Sequence, residues 1–418
     1  MSERKGFEIF DRQWLNKVKA PCFIYDIENI GKRIETIRTA FKSISYTQYY
    51  PLKVNPCLDI VRYCIKNGLG VDACSMGDLE IAGILNVPPE NISFTGVGLS
   101  EQDMRYLYRK KITPNLNSLE EIRRWAQLFP GSRIGVRVST MIPGIELKNG
   151  YSLKMGIFPG EWPEVREMVR QNNLEIVKLH RHESKNSISH EELLNAFSAN
   201  YETIPAWVWQ NVKTINFGGG WGLPYSRKGQ IDVEKLARGI VDITQKLKTN
   251  TDSDMLEIEI EPGEFLVGEC GYLLTKIVDV RSLKSHKMGD NLQVVVLDTP
   301  FPVTSVSREP ELLYTVEFDL DNKEREKETV FTIIYGRSNT SMDTVNKGTY
   351  LPEVKVGNLA LVREVGAYVP VLLSYFNQQD IPAEFVFRNR TFKKSRDRMC
   401  FKSHYQHTYL RGGNNERI

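Results

Sequence analysis

Leu52-Lys53-Val54 sets one lysine between two apolar residues, a placement that desolvates the amine, lowers its pKa and readies it to form a Schiff base. Gly218-Gly219-Gly220 puts three residues without side chains in a row, so backbone N–H groups can come close to an anion such as phosphate. Glu261 offers a carboxylate that can pair with a ring nitrogen, and His182 an imidazole that can lie against a ring face. Asp72 and Arg137 add opposite charges. Each feature also has an ordinary alternative: Lys53 as a surface lysine, the glycines as a turn, His182 and Glu261 as satisfied strand residues, Asp72 with Arg137 as an ion pair. What favours chemistry is their order along the chain and the elements that carry them.

Between Tyr46 and Gly263, eight β-rich runs alternate with stretches of helical apolar period. The runs are YTQYYPLKV (46–54), GVDAC (70–74), ISFTG (92–96), TPNLN (113–117), RIGVRVS (133–139), IVKLHRH (176–182), TINFG (214–218) and MLEIEIEPG (255–263). The intervening stretches gather apolar residues on one helical face, as in Leu58, Ile60, Val61 and Cys64 or Leu79, Ile81, Ala82 and Leu85. Eight such alternations over roughly 220 residues have the size and rhythm of a parallel (β/α)8 barrel; a doubly wound sheet usually closes with fewer strands. A barrel carries its reactive groups at the C-terminal strand ends, and phosphates commonly bind the loops after strands seven and eight. Lys53, Asp72, Arg137, His182, the glycine triplet and Glu261 stand at those ends, in order. An imine-forming lysine, a phosphate cradle, a stacking imidazole and a carboxylate for a ring nitrogen are together what pyridoxal phosphate requires.

After Gly263 the runs KIVDVRSL (276–283), NLQVVVLD (291–298), TVFTIIYG (329–336), LALVREVGAY (359–368) and AEFVFRNR (383–390) are strand-like with little helical period between them. The expected organisation is a barrel over 28–268 and a mainly-β domain over 269–390, to which residues 1–27 add a strand through CFIYD (22–26). A basic extension follows over 391–418, and 307–328 reads as a long connection. The 418 residues are 41% hydrophobic and 26% charged, ordinary for a globular chain that buries a full core, and no apolar run approaches the roughly 20 residues of a membrane span. The start, MSERKG, has no secretory character, and a cytoplasmic protein is expected. Six scattered cysteines without a CxxC pair signal neither a disulfide framework nor a metal site. The net charge of +3 is too small to mark a nucleic-acid binder. It divides unevenly: from Arg388 onward nine Lys and Arg face only Asp397 and Glu416, giving +7 and leaving −4 on the body. Phe392, Phe401, Tyr405 and Tyr409 are interleaved with those cations. Such a tail is solvated, packs on the protein, or docks an acidic partner.

Set beside known families, YYPLKVNP (49–56) resembles the Y-x-x-K-x-N lysine motif of the fold-type III pyridoxal-phosphate decarboxylases, the group of ornithine, arginine and diaminopimelate decarboxylases. GVDACSMGDLEIA (70–82) resembles their second motif, YSLKMGI (151–157) their S-K-F-G and LHRHES (179–184) their H-x-G-S. INFGGGWGLPY (215–225) resembles their glycine-rich loop and EIEPGEFLVGECGY (259–272) their E-P-G-R. GRSNTSMD (336–343) is similar to their G-x-x-C-[DE]-x-x-D and GAYVPVLLSYFN (366–377) to their G-A-Y…F-N close. The resemblance runs from about Pro21 to Asn377. It implies that Lys53 forms the Schiff base, that His182 stacks on the ring, and that Gly218, Gly219, Gly220 and Tyr368 reach the phosphate. It also implies that Glu261 keeps the pyridine nitrogen protonated, and it places Asp72, Arg137 and Gly263 among the cofactor-binding residues. A protonated ring is the stronger electron sink and favours loss of CO2 through a quinonoid carbanion. The similar alanine racemases place an Arg at that nitrogen, so Glu261 favours decarboxylation over racemisation. Family enzymes are head-to-tail homodimers that share their active sites through the C-x-x-D segment, and a dimer is implied here.

Three departures stand out. Glu264 replaces the family's Arg near the phosphate, Asn339 its Cys near the reacting carbon, and Thr340 the acid that meets a distal ammonium, while Asp343 keeps the second acidic position. Glu183-Ser184 follows His182 where H-x-G-S is expected. Asn339 and Asp343 are thus candidate catalytic residues, and Arg337, Thr340 and Asp343 candidate substrate-binding ones. Losing the acid argues against a diamine-type substrate, and Arg337 suits a carboxylate or phosphate. The expected activity is decarboxylation of an amino acid or amino-acid conjugate, in specialised biosynthesis or diaminopimelate-like; the alternatives are a non-catalytic binding homologue and a racemase.

Overall fold

The structure, a computed structural model, describes residues 6–10, 12–15, 17–139, 154–182, 187–225, 229–250, 256–284, 291–299, 314–320, 328–340 and 342–410. After a first strand, β1 (Cys22–Asp26), come the eight strands expected of the barrel. They are β2 (Tyr46–Pro51), β3 (Gly70–Ala73), β4 (Ile92–Phe94), β5 (Asn115–Leu116), β6 (Arg133–Arg137), β7 (Glu175–His180), β8 (Thr214–Asn216) and β9 (Glu257–Ile260). Their order is β4-β3-β2-β9-β8-β7-β6-β5, all parallel, and a bridge between Phe94 and Pro114 joins the two ends into a barrel. Each strand is shorter than its sequence run because the last residues of the run leave the ladder. Lys53, His182, Gly218 and Glu261 lie one or two residues beyond their strands, where side chains are free to face the mouth.

Amphipathic helices separate these strands, and their starts are fixed by local capping. Ser75, Ser100, Ser118 and Ser189 each accept a hydrogen bond from the backbone N–H three residues on, at Asp78, Asp103, Glu121 and Glu192, and Asp232 does the same for Lys235. Each cap is worth about 1 kcal/mol. Two of these helices, capped by Ser75 and Ser118, begin within a few residues of a strand end, so their caps also fix loops at the barrel mouth. Ser75, for instance, follows Asp72 by three positions.

The β domain is one sheet of β14-β13-β11-β10-β1-β16-β17, with β15 paired to both β10 and β12. The strands are β10 (Gly271–Lys284), β11 (Asn291–Leu297), β12 (Val316–Phe318), β13 (Thr329–Tyr335), β14 (Thr344–Pro352), β15 (Leu359–Arg363), β16 (Ala383–Arg388) and β17 (Thr391–Arg396). β1 lies between β10, antiparallel, and β16, parallel, so Ile24 is opposite both Tyr272 and Phe385. Phe10 closes this region, its ring edge-on to Tyr272 at 5.1 Å and to Phe387 at 5.0 Å. The segment 307–328, read from sequence as a connection, contains β12 among its described residues. The charge that hid this strand, Glu317, is paired with Arg363 at 3.1 Å.

A second difference concerns the basic tail. The expected boundary at 391 falls in a hairpin, where β17 pairs with β16 and Phe387 meets Phe392 across the ladder. Most of the tail's cations meet partners in the body. Arg388 lies over Tyr63 and Arg390 over Trp14; Lys393 pairs with Asp59, and Arg396 with Glu384. The Arg398 guanidinium donates to the carbonyls of Ala20 and Pro21. Arg411, Glu416 and Arg417 lie outside the described residues. Among the described residues no helix is long and apolar enough to cross a membrane.

Candidate active site

Leu52 and Val54 are fully buried, whereas Lys53 between them is half-buried at the mouth. Its turn is clamped from three sides. Leu52 N–H donates to the Asp72 carbonyl, Tyr50 Oη to the Asn55 carbonyl, and Asn55 Nδ2 to the Gly366 carbonyl of the β domain. Tyr368 N–H donates to the Val54 carbonyl, and Tyr368 holds a left-handed φ of 65° to do so. The Lys53 amine lies 3.5 Å from Asp72 Oδ2 and 3.5 Å from Cys74 Sγ. Burial pulls its pKa down, as the apolar flanks suggest. Asp72, Cys74, Tyr368 and Glu261 together outweigh this and hold it above the ordinary lysine value, so the expectation of a lowered pKa is corrected. Burial and the Glu261 anion push Asp72 up to about 7 against the pull of Lys53, and burial raises the Tyr368 phenol to about 12.

Glu261 follows β9, the strand paired with β2, and is enclosed by groups from three other strands. Its Oε1 accepts from Ser93 Oγ at 2.9 Å and Asn216 Nδ2 at 2.7 Å, while Oε2 faces His180 Nε2 at 3.2 Å. Burial alone would raise this carboxyl; His180 and the Lys53 ammonium prevail and keep it well below the usual carboxylate range. Arg137, also buried, donates to Met155 Sδ at 3.2 Å. Burial lowers its pKa, and the neighbouring Glu261 works against that. Ser93, His180 and Asn216 were not singled out from the sequence. The available signal was the strand period of two, which puts His180 on the face of His182 and Asn216 on that of Gly218.

In the glycine loop, Gly218 has φ 64° and Gly220 φ 85°, both left-handed. A Cβ on Gly218 would overlap the Arg181 carbonyl, and one on Gly219 the Glu261 carbonyl. The Gly218 N–H is spent on Asn216 Oδ1 and that of Gly219 on His182 Nδ1 at 3.2 Å. These two glycines therefore serve through close approach, holding the His182 ring against the loop. Burial, Lys53 and Arg137 keep that imidazole well below its ordinary pKa, hence neutral. Gly263 donates to the Glu261 carbonyl, and a Cβ there would press on Val54 and Pro51, so its small size brings the first and last strand ends together. Glu264 is buried and accepts from the Tyr225 hydroxyl. Residues 183–186, which include Glu183 and Ser184, and 151–153 of YSLKMGI lie outside the described residues.

The remaining candidates are in the β domain. Asp343 is fully buried and accepts from the Ser338 N–H at 2.8 Å, organising its own loop. Arg337 pairs with Asp298 at 2.6 Å, Asn339 N–H donates to Asn377 Oδ1, and Thr340 N–H to the Ser338 carbonyl. The structure thus brings Lys53, Asp72, Arg137, His182, Gly218, Gly219, Glu261 and Tyr368 to one mouth, whereas Arg337, Asn339, Thr340 and Asp343 make the contacts just described within the β domain. Burial raises the Asp343 carboxyl.

A closed parallel barrel with a lysine at its first strand end, a caged glutamate at its last and glycines packed against a neutral imidazole between them defines a pyridoxal-type barrel enzyme. The site fits that cofactor on its own geometry: an amine beside a carboxylate, an enclosed anion at the neighbouring strand end, and a loop that a single Cβ would obstruct. Residues 27–268 match the family of pyridoxal-dependent decarboxylases through its pyridoxal binding domain. The chain belongs to this family, and pyridoxal phosphate is its cofactor. It is 27% identical over 401 residues to the diaminopimelate decarboxylase of Buchnera aphidicola, covering 90% of each chain, and 24% identical over 391 residues to that of Escherichia coli K12, covering 88% and 89%. The diaminopimelate decarboxylase of Helicobacter pylori complexed with L-lysine superposes with a TM-score of 0.80 at 23% identity over 96% and 99% of the two chains. The arginine decarboxylase of Paramecium bursaria Chlorella virus gives 0.72 at 19% over 87% and 95%.

Proposed function

We propose that the chain removes the α-carboxylate of an amino acid as CO2. Lys53 would carry the cofactor, His182 would lie against its ring and Glu261 would meet the ring nitrogen. Asp72 and Arg137 would flank the ring, and Gly218, Gly219, Gly220, Gly263 and Tyr368 would stand toward the phosphate. The enclosure of Glu261 is the observation that carries this reading, because an ionised carboxylate at that position holds a pyridine nitrogen protonated. When bound, pyridoxal phosphate draws electron density from the substrate Cα and so lets the carboxylate leave. Around it, Asp72, with Oδ2 3.5 Å from Lys53 Nζ, would accept and return a proton at that nitrogen. His182, being neutral, offers an uncharged ring face. Glu264 directs its charge to Tyr225, which accounts for an anion where relatives of this group place an arginine.

The substrate reading is narrower. Relatives carry the name of diaminopimelate decarboxylase, but here Asn339 and Thr340 replace the cysteine and acid of the corresponding segment. An ammonium buried without its carboxylate is costly, and we infer a substrate whose distal end is not a free ammonium, such as a modified or conjugated amino acid. Arg337 no longer contributes to this inference, because Asp298 occupies it. The loop 336–343 is tied to Asn377, and Met342, Val371, Leu372 and Phe376 nearby are exposed apolar residues. This surface favours a homodimer in which the loop completes the partner's site. Purified protein supplied with pyridoxal phosphate tests the proposal through CO2 release from meso-diaminopimelate, L-lysine, L-ornithine and their side-chain-acylated forms. Release from an acylated form is expected to be fastest; fastest release from a free diamino acid would sink the substrate reading, and no release from any amino acid the decarboxylase reading.

A further inference from the structure

We propose that His180 is a positioning residue for the reaction, acting through Glu261, a role that rests on the pyridoxal reading above. The parallel register aligns Arg137 with His180, His180 with Asn216 and Asn216 with Glu259, and the pleat turns this row toward the lumen. Within it, His180 is almost fully buried, with Nε2 3.2 Å from Glu261 Oε2, while no partner for its Nδ1 is found among the described residues.

That asymmetry fixes the proton. A buried N–H without an acceptor is costlier than a bare lone pair, so the neutral ring carries its hydrogen on Nε2, facing the carboxylate. Burial disfavours the imidazolium, which agrees with a neutral donor. Glu261 then has three fixed donors: Ser93 and Asn216 on Oε1, His180 on Oε2. All three favour its anion. Oε2 with one donor retains a second acceptor direction, whereas Oε1 is already doubly engaged. His180 therefore selects which oxygen is free for a ring nitrogen and holds it there. A buried imidazole with an unanswered nitrogen is a costly residue on which to build a strand, and holding Glu261 is the return that the geometry shows.

The test compares His180→Gln, whose amide nitrogen can reach the Nε2 position, with His180→Asn, which is too short, and His180→Leu, which cannot donate. Pyridoxal phosphate labelled with 15N in the ring reports protonation of the bound ring nitrogen by its chemical shift, and fluorescence titration gives affinity. Wild type and the Gln variant are expected to show a protonated nitrogen, with affinities within about threefold of each other. The Asn and Leu variants are expected to bind at least tenfold more weakly, with the resonance moved toward the unprotonated position. Wild-type shift and affinity in the Asn or Leu variant would overturn the proposal, as would a folded Gln variant with an unprotonated ring should the other two fail to fold. Failure of wild type itself to capture the cofactor at Lys53, read by an unchanged spectrum in Lys53→Ala, would instead overturn the pyridoxal reading and this role with it.

Discussion

Asp72→Asn isolates the charge that holds Lys53 protonated. The two groups are 3.5 Å apart, where unit charges attract by about 5 kcal/mol at an effective dielectric of about 20. Lys53 is half-buried, so water at the mouth screens part of this, leaving roughly 2–3 kcal/mol. At about 1.4 kcal/mol per pH unit, removing the carboxylate lowers the lysine pKa by about two units. Burial, now opposed by Cys74, Tyr368 and Glu261 without Asp72, then favours the neutral amine that condenses with an aldehyde. The assay is the rate at which the apoprotein captures pyridoxal phosphate, followed by visible absorbance against pH. Because the Asp72 carboxyl is raised to about 7, it is protonated below that pH in the wild type and resembles asparagine there. The two profiles are therefore expected to converge below about pH 7 and to separate above it, the variant reaching its plateau about two units earlier. A variant profile that superposes on the wild type above pH 7, or lies to its alkaline side, would refute the electrostatic argument.

Gly218→Ala combines a left-handed φ with an overlap on the Arg181 carbonyl, whereas Gly68→Ala has the same φ sign and open space around the missing Cβ. Thermal melts should show a loss of about 1–2 kcal/mol for Gly68→Ala and distinctly more for Gly218→Ala, with cofactor affinity reduced only in the latter; equal effects would refute the close-approach argument. Lys393→Ala removes an ion pair whose lysine is largely exposed, and denaturant titration should find a change below about 1 kcal/mol. Ending the chain after Arg390 instead removes β17 and uncovers Phe387, so it should cost several times more.

The strand-end residues were legible in sequence because a barrel makes position along the chain equivalent to position around the mouth. Once eight runs are counted, Lys53, Asp72, His182, the glycines and Glu261 follow from the ends of the runs. Strands whose composition argues against them were not legible. β12, β14 and β17 contain Glu317, Lys347 with Gly348, and Lys393 with Lys394, and they form because neighbouring strands offer a ladder that composition does not announce. The protonation of Lys53 was likewise hidden. Leu52 and Val54 suggest an apolar pocket, but Asp72 and Glu261, brought in from other strands, set the field that the amine feels.

By itself the sequence determined which side chains occur at the barrel mouth, because strand period and run length depend on local residue order. Only the tertiary structure decided what state those groups are in. Ser93, His180 and Asn216 come from three different strands to enclose Glu261, and Tyr368 and Gly366 come from another domain to clamp Lys53. Charge and hydrogen bonding act through distances of 3 to 4 Å in space, and for residues such as Asn55 and Gly366, 311 positions apart along the chain, those distances exist only after folding.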